Sequence, residues 1–504
     1  MYEKVLIIFD LANNHMGDVE YGKRIVREFA KVVKPFRKYF DFAIKMQYRH
    51  LDTFIHPDFK DRMDIKFVKR FSETRLSPNE LKAIKDTIVE EGFIPICTPF
   101  DEPSVDLVLE HGFEIIKVAS CSFTDWPLLE HIVKVSNKPM ILSTAGKPLN
   151  NIDRVVSFLM HRNRKFALMH CIAEYPTEDA YLYLNQIDLL KNRYPGIPIG
   201  FSTHEDPGNT TAIVIALAKG ARLLERHIGL RDKYSLNAYS STPEEIAPWL
   251  KAGVKTLEMM GEEKLKETRY EPSEKELKTL FALKRGAFAK RNIKKGKEIS
   301  ISDVFFAIPT REGQWVANDF SKYAKIVALK DIKKKEALIR ENTSLINTQE
   351  RVYEIVLKVR DFIKKAGIIV PPGAELEISH HYGIDKFYEY GLVMITVVNR
   401  EYCKKLLILL PSQTHPEQYH LKKEETFFVI YGELELYLDG KKRICKPGEV
   451  VTIERGVKHM MTTKTGCIIE EISTTHYKED SFYTDKTIMQ NKKRKTVVSY
   501  WQEQ

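Results

Sequence analysis

Only six cysteines occur in 504 residues (Cys97, Cys121, Cys171, Cys403, Cys445 and Cys467), and no two form a CxxC pair. That scatter excludes a disulfide framework and a cysteine-built zinc site. The chain also lacks an apolar run of membrane-spanning length. Its start, MYEKVLIIFD, lacks the basic stretch, long apolar core and cleavage pattern of a secretory signal. A cytoplasmic location with no membrane partner is expected. Charge is in excess on one side, formally +10, but lysines are spread along the chain. A basic stripe with interleaved aromatics is absent, so no nucleic-acid partner is expected. Solvated surface lysines are the plain reading, and they suit a small anionic substrate equally well.

What is present is an ordinary globular composition, 43% hydrophobic and 29% charged, in a chain too long for one core. The first 260 residues repeat one unit: a short apolar run, one or two polar residues, then an amphipathic stretch. The runs are VLIIFD (5–10), DFAIKMQ (41–47), FIPICT (93–98), EIIKVAS (114–120), MILST (140–144), FALMHC (166–171), IPIGFS (197–202) and RLLERH (222–227). SPNELKAIKDTIVEEG (77–92) lies between two of them, opening on a serine cap and closing on glycine as a helix does. Strands alternating with helices imply a parallel sheet, and eight such units predict an α/β fold of the (β/α)8 barrel class.

In such a barrel the chemistry sits at the C-terminal strand ends. That places Asn13, Asn14, His15, Lys45, Gln47, Thr98, Lys117, Ser120, Ser143, Thr144, His170, Tyr175, Ser202, His204, Glu225 and His227 at one rim. Lysines and hydroxyls there suit a phosphate or a phosphorylated carboxylate. His204 and His227, on neighbouring strands, suit a divalent metal with open positions.

A helical link, SEKELKTLFALKR (273–285), leads to two similar arms, RNIKKGKEISISDV (291–304) and KDIKKKEALIRENT (330–343). The echo predicts a compact β-rich module. From about 351, period-two runs such as TFFVIYGELELYLDG (426–440) predict a β-barrel or jelly roll. The expected domains are therefore 1–270, 283–347 and 351–490.

The ordered set DLANNHMGD, IKMQ, CTPF, IKVAS, ILSTAG, HCIAEYP, GFSTHE and LLERHIG resembles the bacterial sialic acid synthases. The two-armed unit resembles the antifreeze-like (SAF) domain that follows the barrel in that family. The resemblance implies an N-acetylneuraminate synthase-like transferase. It would join phosphoenolpyruvate to an open-chain hexose derivative such as N-acetylmannosamine, releasing phosphate, for surface polysaccharide or glycan synthesis. It also implies that His204 and His227 hold Mn2+ or Mg2+ and that Lys45, Lys117, Ser120, Ser143 and Ser202 grip phosphoenolpyruvate. Asn14, Gln47, Tyr175, Asn237 and Arg311 would face the sugar, and Glu225 would orient the metal side. A domain-swapped homodimer follows from the same resemblance.

The sequence departs from the family at Met16, Ser122, Ala173, Asn237 and Ile308, mostly on the acceptor side. The same reaction class with a different acceptor sugar is the expectation. The C-terminal region resembles a cupin through Gln418, His420, Glu425 and Gly432, then Gly448, Gly456 and His459. Gln418, His420, Glu425 and His459 would form a second divalent-metal site, and the stretch HPEQYHLKKEET resembles sugar-isomerase cupins. The alternatives are a Schiff-base barrel aldolase using Lys45 or Lys117, a catalytically inactive sugar-binding protein, and a metal-free cupin.

Overall fold

The apolar run VLIIFD becomes strand β1, Val5–Asp10, every residue of it buried. Seven further runs follow: β2 Phe40–Tyr48, β3 Ile94–Pro99, β4 Ile115–Val118, β5 Met140–Ser143, β6 Phe166–Cys171, β7 Ile199–Thr203 and β8 Leu223–His227. All pair in parallel, and β8 returns to β1 to close the barrel. This computed structural model describes residues 4–502 except 267, 322, 478, 492 and 500. Each of the expected domains 1–270, 283–347 and 351–490 thus includes residues outside the described ones.

Alternation along each strand sorts the barrel. Leu6, Ile8, Ala43, Ile96, Ile115, Ile141, Ala167, Met169 and Leu223 fill the interior. The opposite phase, including Ile7, Phe9, Ile44, Ile116 and Leu168, packs outward against the helices. One more step along the inward phase brings Asp10, Lys45, Lys117, Ser143, Ser202 and Glu225 to the C-terminal rim. Helix Pro78–Glu90 forms as its sequence predicts, with a capping box in which Ser77 and Glu80 satisfy each other's backbone.

The chain divides into two compact units, Met1–Leu265 and Lys266–Gln504. In the second unit the two arms pair reciprocally: Ile293 and Ile332 each donate an N–H to the other's carbonyl at 2.8 Å. Asn292 Oδ1 accepts from Lys334 N (2.8 Å), and Asp331 Oδ1 accepts from Lys295 N (2.9 Å). The repeated motif therefore stitches its copies together through equivalent atoms.

After helix Thr348–Lys365 come two antiparallel sheets, one of seven strands and one of five. Buried Leu407, Leu409, Phe427, Val429, Leu434, Leu436 and Ile469 form one apolar core here. Gly432 adopts φ 74°, and an added Cβ would run into the Gly466 carbonyl, so the glycine is sterically required. Among the described residues, no helix is long and apolar enough to cross a membrane.

Candidate functional site

Two carboxylates and two lysines meet at the barrel rim. Lys45 Nζ lies 2.8 Å from Asp10 Oδ2 and 3.0 Å from Glu225 Oε1, and Lys117 Nζ lies 2.6 Å from Glu225 Oε2. Ser202 Oγ donates to Glu225 Oε1 at 3.1 Å. All four charged groups are at most 5% exposed. Burial opposes the charge on Glu225, but Lys117 and Lys45 outweigh it and hold the carboxyl well below its usual range. Burial likewise opposes the charge on Lys45, yet Asp10 and Glu225 raise its pKa. For Lys117 burial prevails and its pKa is lowered despite Glu225.

The imidazoles stand beside this cluster, with the His204 and His227 ring centres 5.3 Å apart. His204 Nδ1 is 2.8 Å from the Ile172 carbonyl, which orients the ring. Burial lowers His204 to about 3 and also lowers His227, so both rings are neutral and able to ligate. His227 Nδ1 is buried without a hydrogen-bond partner, and His227 Nε2 lies 3.5 Å from Asp10 Oδ2. Two neutral imidazoles with an unspent buried nitrogen fit a divalent ion. Among the described residues no third His, Cys, Asp or Glu joins them in a ligating group.

Tyr175 covers the pair, its ring centre 4.3 Å from that of His204. Asn14 Nδ2 donates to the Ile228 carbonyl (2.8 Å) and to Ser240 Oγ (3.1 Å). Asn237 Nδ2 reaches Asn14 Oδ1 at 3.4 Å, leaving its own Oδ1 buried and unpartnered. Gln47 Nε2 donates to Asp10 Oδ2 at 3.3 Å. Ser120 Oγ accepts from Ala145 N (3.1 Å), and its hydroxyl also hydrogen-bonds the Cys171 sulfur. Arg311 is exposed on a turn of the second unit, and its place at a barrel site rests on resemblance alone.

One rim expectation changes. His170 is one residue out of phase with inward Met169: it stacks on Phe201 and bonds the Leu182 carbonyl at 2.8 Å, away from the barrel interior. Met16 adopts φ 55°, a left-handed conformation that favours Asn or Asp. Asp10 and Tyr239 were missed. Asp10 shares the inward phase of Leu6 and Ile8, whereas Tyr239, 5.2 Å from His227 between ring centres, lies in a loop without periodicity.

The cupin region holds a second cluster. His420, Glu425 and His459 are all buried and offer three ligand atoms within 4.8 Å of one another. His420 Nε2 and His459 Nε2 each lie 3.4 Å from a different oxygen of Glu425. His420 Nε2 and Glu425 Oε2 are buried without a hydrogen-bond partner, which fits them to ligate an ion. Gln418 Nε2 lies 3.3 Å from His459 Nε2, so Gln418 joins the cluster at its edge. The Gly456 N–H donates to the His420 carbonyl at 2.7 Å, tying the two halves of the motif together. Lys423 and Glu471, both missed in the sequence, complete the centre: Lys423 Nζ contacts Glu425 and lies 3.0 Å from Glu471 Oε1. The enclosed cavity measures ≈ 30 Å³, room for an ion and a water. Flexible Met394 and Met461 in its lining are the side chains best suited to yield to a larger ligand.

Comparison with known proteins matches both regions of the chain. A model of the NeuB family matches residues 41–265, and one of the cupin domain matches 405–467. N,N'-diacetyllegionaminic acid synthase of Campylobacter jejuni is 27% identical, over 67% of this chain and all of the relative. D-lyxose/D-mannose isomerase of Thermosediminibacter oceani is 31% identical, over 28% of this chain and 94% of the relative. The crystal structure of a spore coat polysaccharide biosynthesis protein E from Chromobacterium violaceum is 46% identical, with a TM-score of 0.64. It is covered along its entire length, by 68% of this chain. Kinship at that level, over a whole relative, places the chain in the NeuB family, with a cupin domain behind its barrel.

Proposed function

We propose that the barrel condenses phosphoenolpyruvate with the aldehyde of an open-chain hexose derivative, of the N-acetylmannosamine type or a relative. The products are a sialic-acid-like nonulosonic acid and phosphate. The observation that carries this reading is the chain Asp10–Lys45–Glu225–Lys117 lying against the His204–His227 pair. Lys45 and Lys117 offer positive charge to the phosphate and carboxylate, and the Ser120, Ser143 and Ser202 hydroxyls would turn to the ligand, Ser202 giving up its bond to Glu225. C3 of the enol phosphate attacks the aldehyde carbon, water adds at C2, and the C2–O bond breaks to release phosphate. A divalent ion on His204 and His227, Mn2+ or Mg2+, would supply Lewis-acid polarisation of the aldehyde. Asp10 holds Lys45 and His227 in position, and Gln47, Asn14, Asn237 and Tyr175 line the acceptor side. The ion pairs weigh against a Schiff base on Lys45, since such a lysine must be neutral and Lys45 is held charged. For Lys117, whose pKa burial lowers, borohydride trapping with a keto-acid separates aldolase from synthase, and no trapping is expected. A homodimer in which residues 283–347 of one copy cap the other's barrel and present Arg311 belongs to the same proposal; mass in solution checks it.

The decisive experiment measures phosphate release from phosphoenolpyruvate by full-length protein with manganese and a panel of hexose and hexosamine aldehydes. Release that requires both substrates is expected. No release with any aldehyde overturns the reading.

For the cupin, a metal-dependent aldose–ketose isomerase is favoured by the ligand triad and by the similarity to D-lyxose/D-mannose isomerase. Formation of ketose from D-mannose or D-lyxose, abolished in His420→Ala, is the expected result.

A further inference from the structure

The acceptor sugar is the unassigned reactant, and one half-buried cation beside the rim has no ion-pair partner among the described residues. Just past Gln47, the Arg49 guanidinium is wedged between two rings, 3.6 Å from the centre of Phe100 and 4.1 Å from that of Phe71. One NH2 donates to Gln47 Oε1 at 3.1 Å, while Nε is buried without a hydrogen-bond partner. No carboxylate pairs with Arg49 among the described residues. It lines a pocket of ≈ 180 Å³ together with Asn13, His15, Gln47 and Arg75, a size suited to a small polar ligand. The one carboxylate lining that pocket, Asp52, is already held through both oxygens by Arg75, at 3.1 and 2.7 Å. Nearby Arg70 likewise has no carboxylate partner among the described residues, donating to the Asn13 carbonyl at 3.2 Å and facing the Met16 sulfur at 3.3 Å.

A guanidinium partly stripped of water, with its Nε buried and no carboxylate beside it, carries a desolvation cost that a bound anion would offset. The aromatic slot fixes its plane, so its fork is presented with little further loss of freedom. We propose that Arg49 anchors an anionic group, a phosphate or a carboxylate, on the acceptor sugar. The assignment of that ligand as the acceptor rests on the synthase reading; the anion site itself rests on Arg49 and its pocket.

Calorimetry on full-length protein tests it, with phosphoenolpyruvate and manganese present to fill the lysine side of the rim. The probes are sorbitol, sorbitol 6-phosphate and gluconate. One anionic probe is expected to bind at least about 10-fold tighter than sorbitol, and its identity separates phosphate from carboxylate. In Arg49→Met that ratio falls to near one, and in Arg49→Lys, which keeps charge but loses the fork, it is intermediate. Thermal unfolding verifies that each variant is folded; should Arg49→Met fail, Arg49→Lys decides. In turnover, the same substitutions shift KM for the charged aldehyde more than kcat. Equal binding of charged and neutral probes, or a preference that survives both substitutions, overturns the proposal. Absence of phosphate release with every aldehyde overturns the synthase reading instead, while the binding contrast still decides the anion site.

Discussion

The barrel rim and the cupin interior reach similar arrangements on unrelated scaffolds. In the barrel, Lys45 bridges Asp10 and Glu225, Ser202 bonds Glu225, and His204 and His227 stand alongside. In the cupin, Lys423 bridges Glu425 and Glu471, Ser473 bonds Glu471 at 2.9 Å, and His420 and His459 stand alongside. The difference lies in where the carboxylate falls. Glu425 sets one oxygen 3.4 Å from each imidazole, making a three-donor set. Of the barrel's imidazole pair, His227 approaches a carboxylate, at 3.5 Å from Asp10, and His204 has none within ion-pair distance among the described residues. One geometry is a closed grip and the other an open one that leaves positions for substrate.

Removing each bridging lysine tests the parallel most severely. Lys45→Met and Lys423→Met each strand buried carboxylates, and each should cost about 3–5 kcal/mol in urea unfolding. Only the first should also abolish phosphate release. Metal titration separates the two grips: Glu425→Gln should weaken one ion site about 100-fold, about 2.7 kcal/mol, and leave the other as it was. His204→Ala with His227→Ala should do the reverse.

Acid exposes a shared weakness. Burial lowers His15 in the barrel and His381 in the cupin region to about 4. The unfolded chain binds those protons first, so stability is complete above about pH 6.5 and declines as pH falls toward about 4. At pH 5.5 each histidine should cost about 1.4 kcal/mol, and His15→Asn or His381→Asn should flatten the pH profile of urea unfolding. The smallest effect is expected from the hydroxyls. Ser202→Ala and Ser473→Ala should each cost about 1 kcal/mol, and a marked inequality would show that the two carboxylates are held differently.

Periodicity explains what the sequence discloses and what it hides. The eight barrel runs are legible because burial on both faces demands continuous apolar residues. Asp10 shares the parity of Leu6 and Ile8, and Glu471 that of Ile469 and Ser473, so both were open to the alternation that exposes His170 as outward-facing. Lys423 was not: Lys422 precedes it outside regular structure, and only the fold shows that the second of the two turns inward. Tyr239 and Arg49 owe their places to tertiary packing of loop residues, which no local pattern encodes.

The reciprocal Ile293–Ile332 ladder carries its own corollary. Each arm supplies donors and acceptors that only its twin can satisfy, so neither half of the module is a viable folding unit. A chain severed between residues 305 and 323 should therefore recover this module only when both fragments are present together.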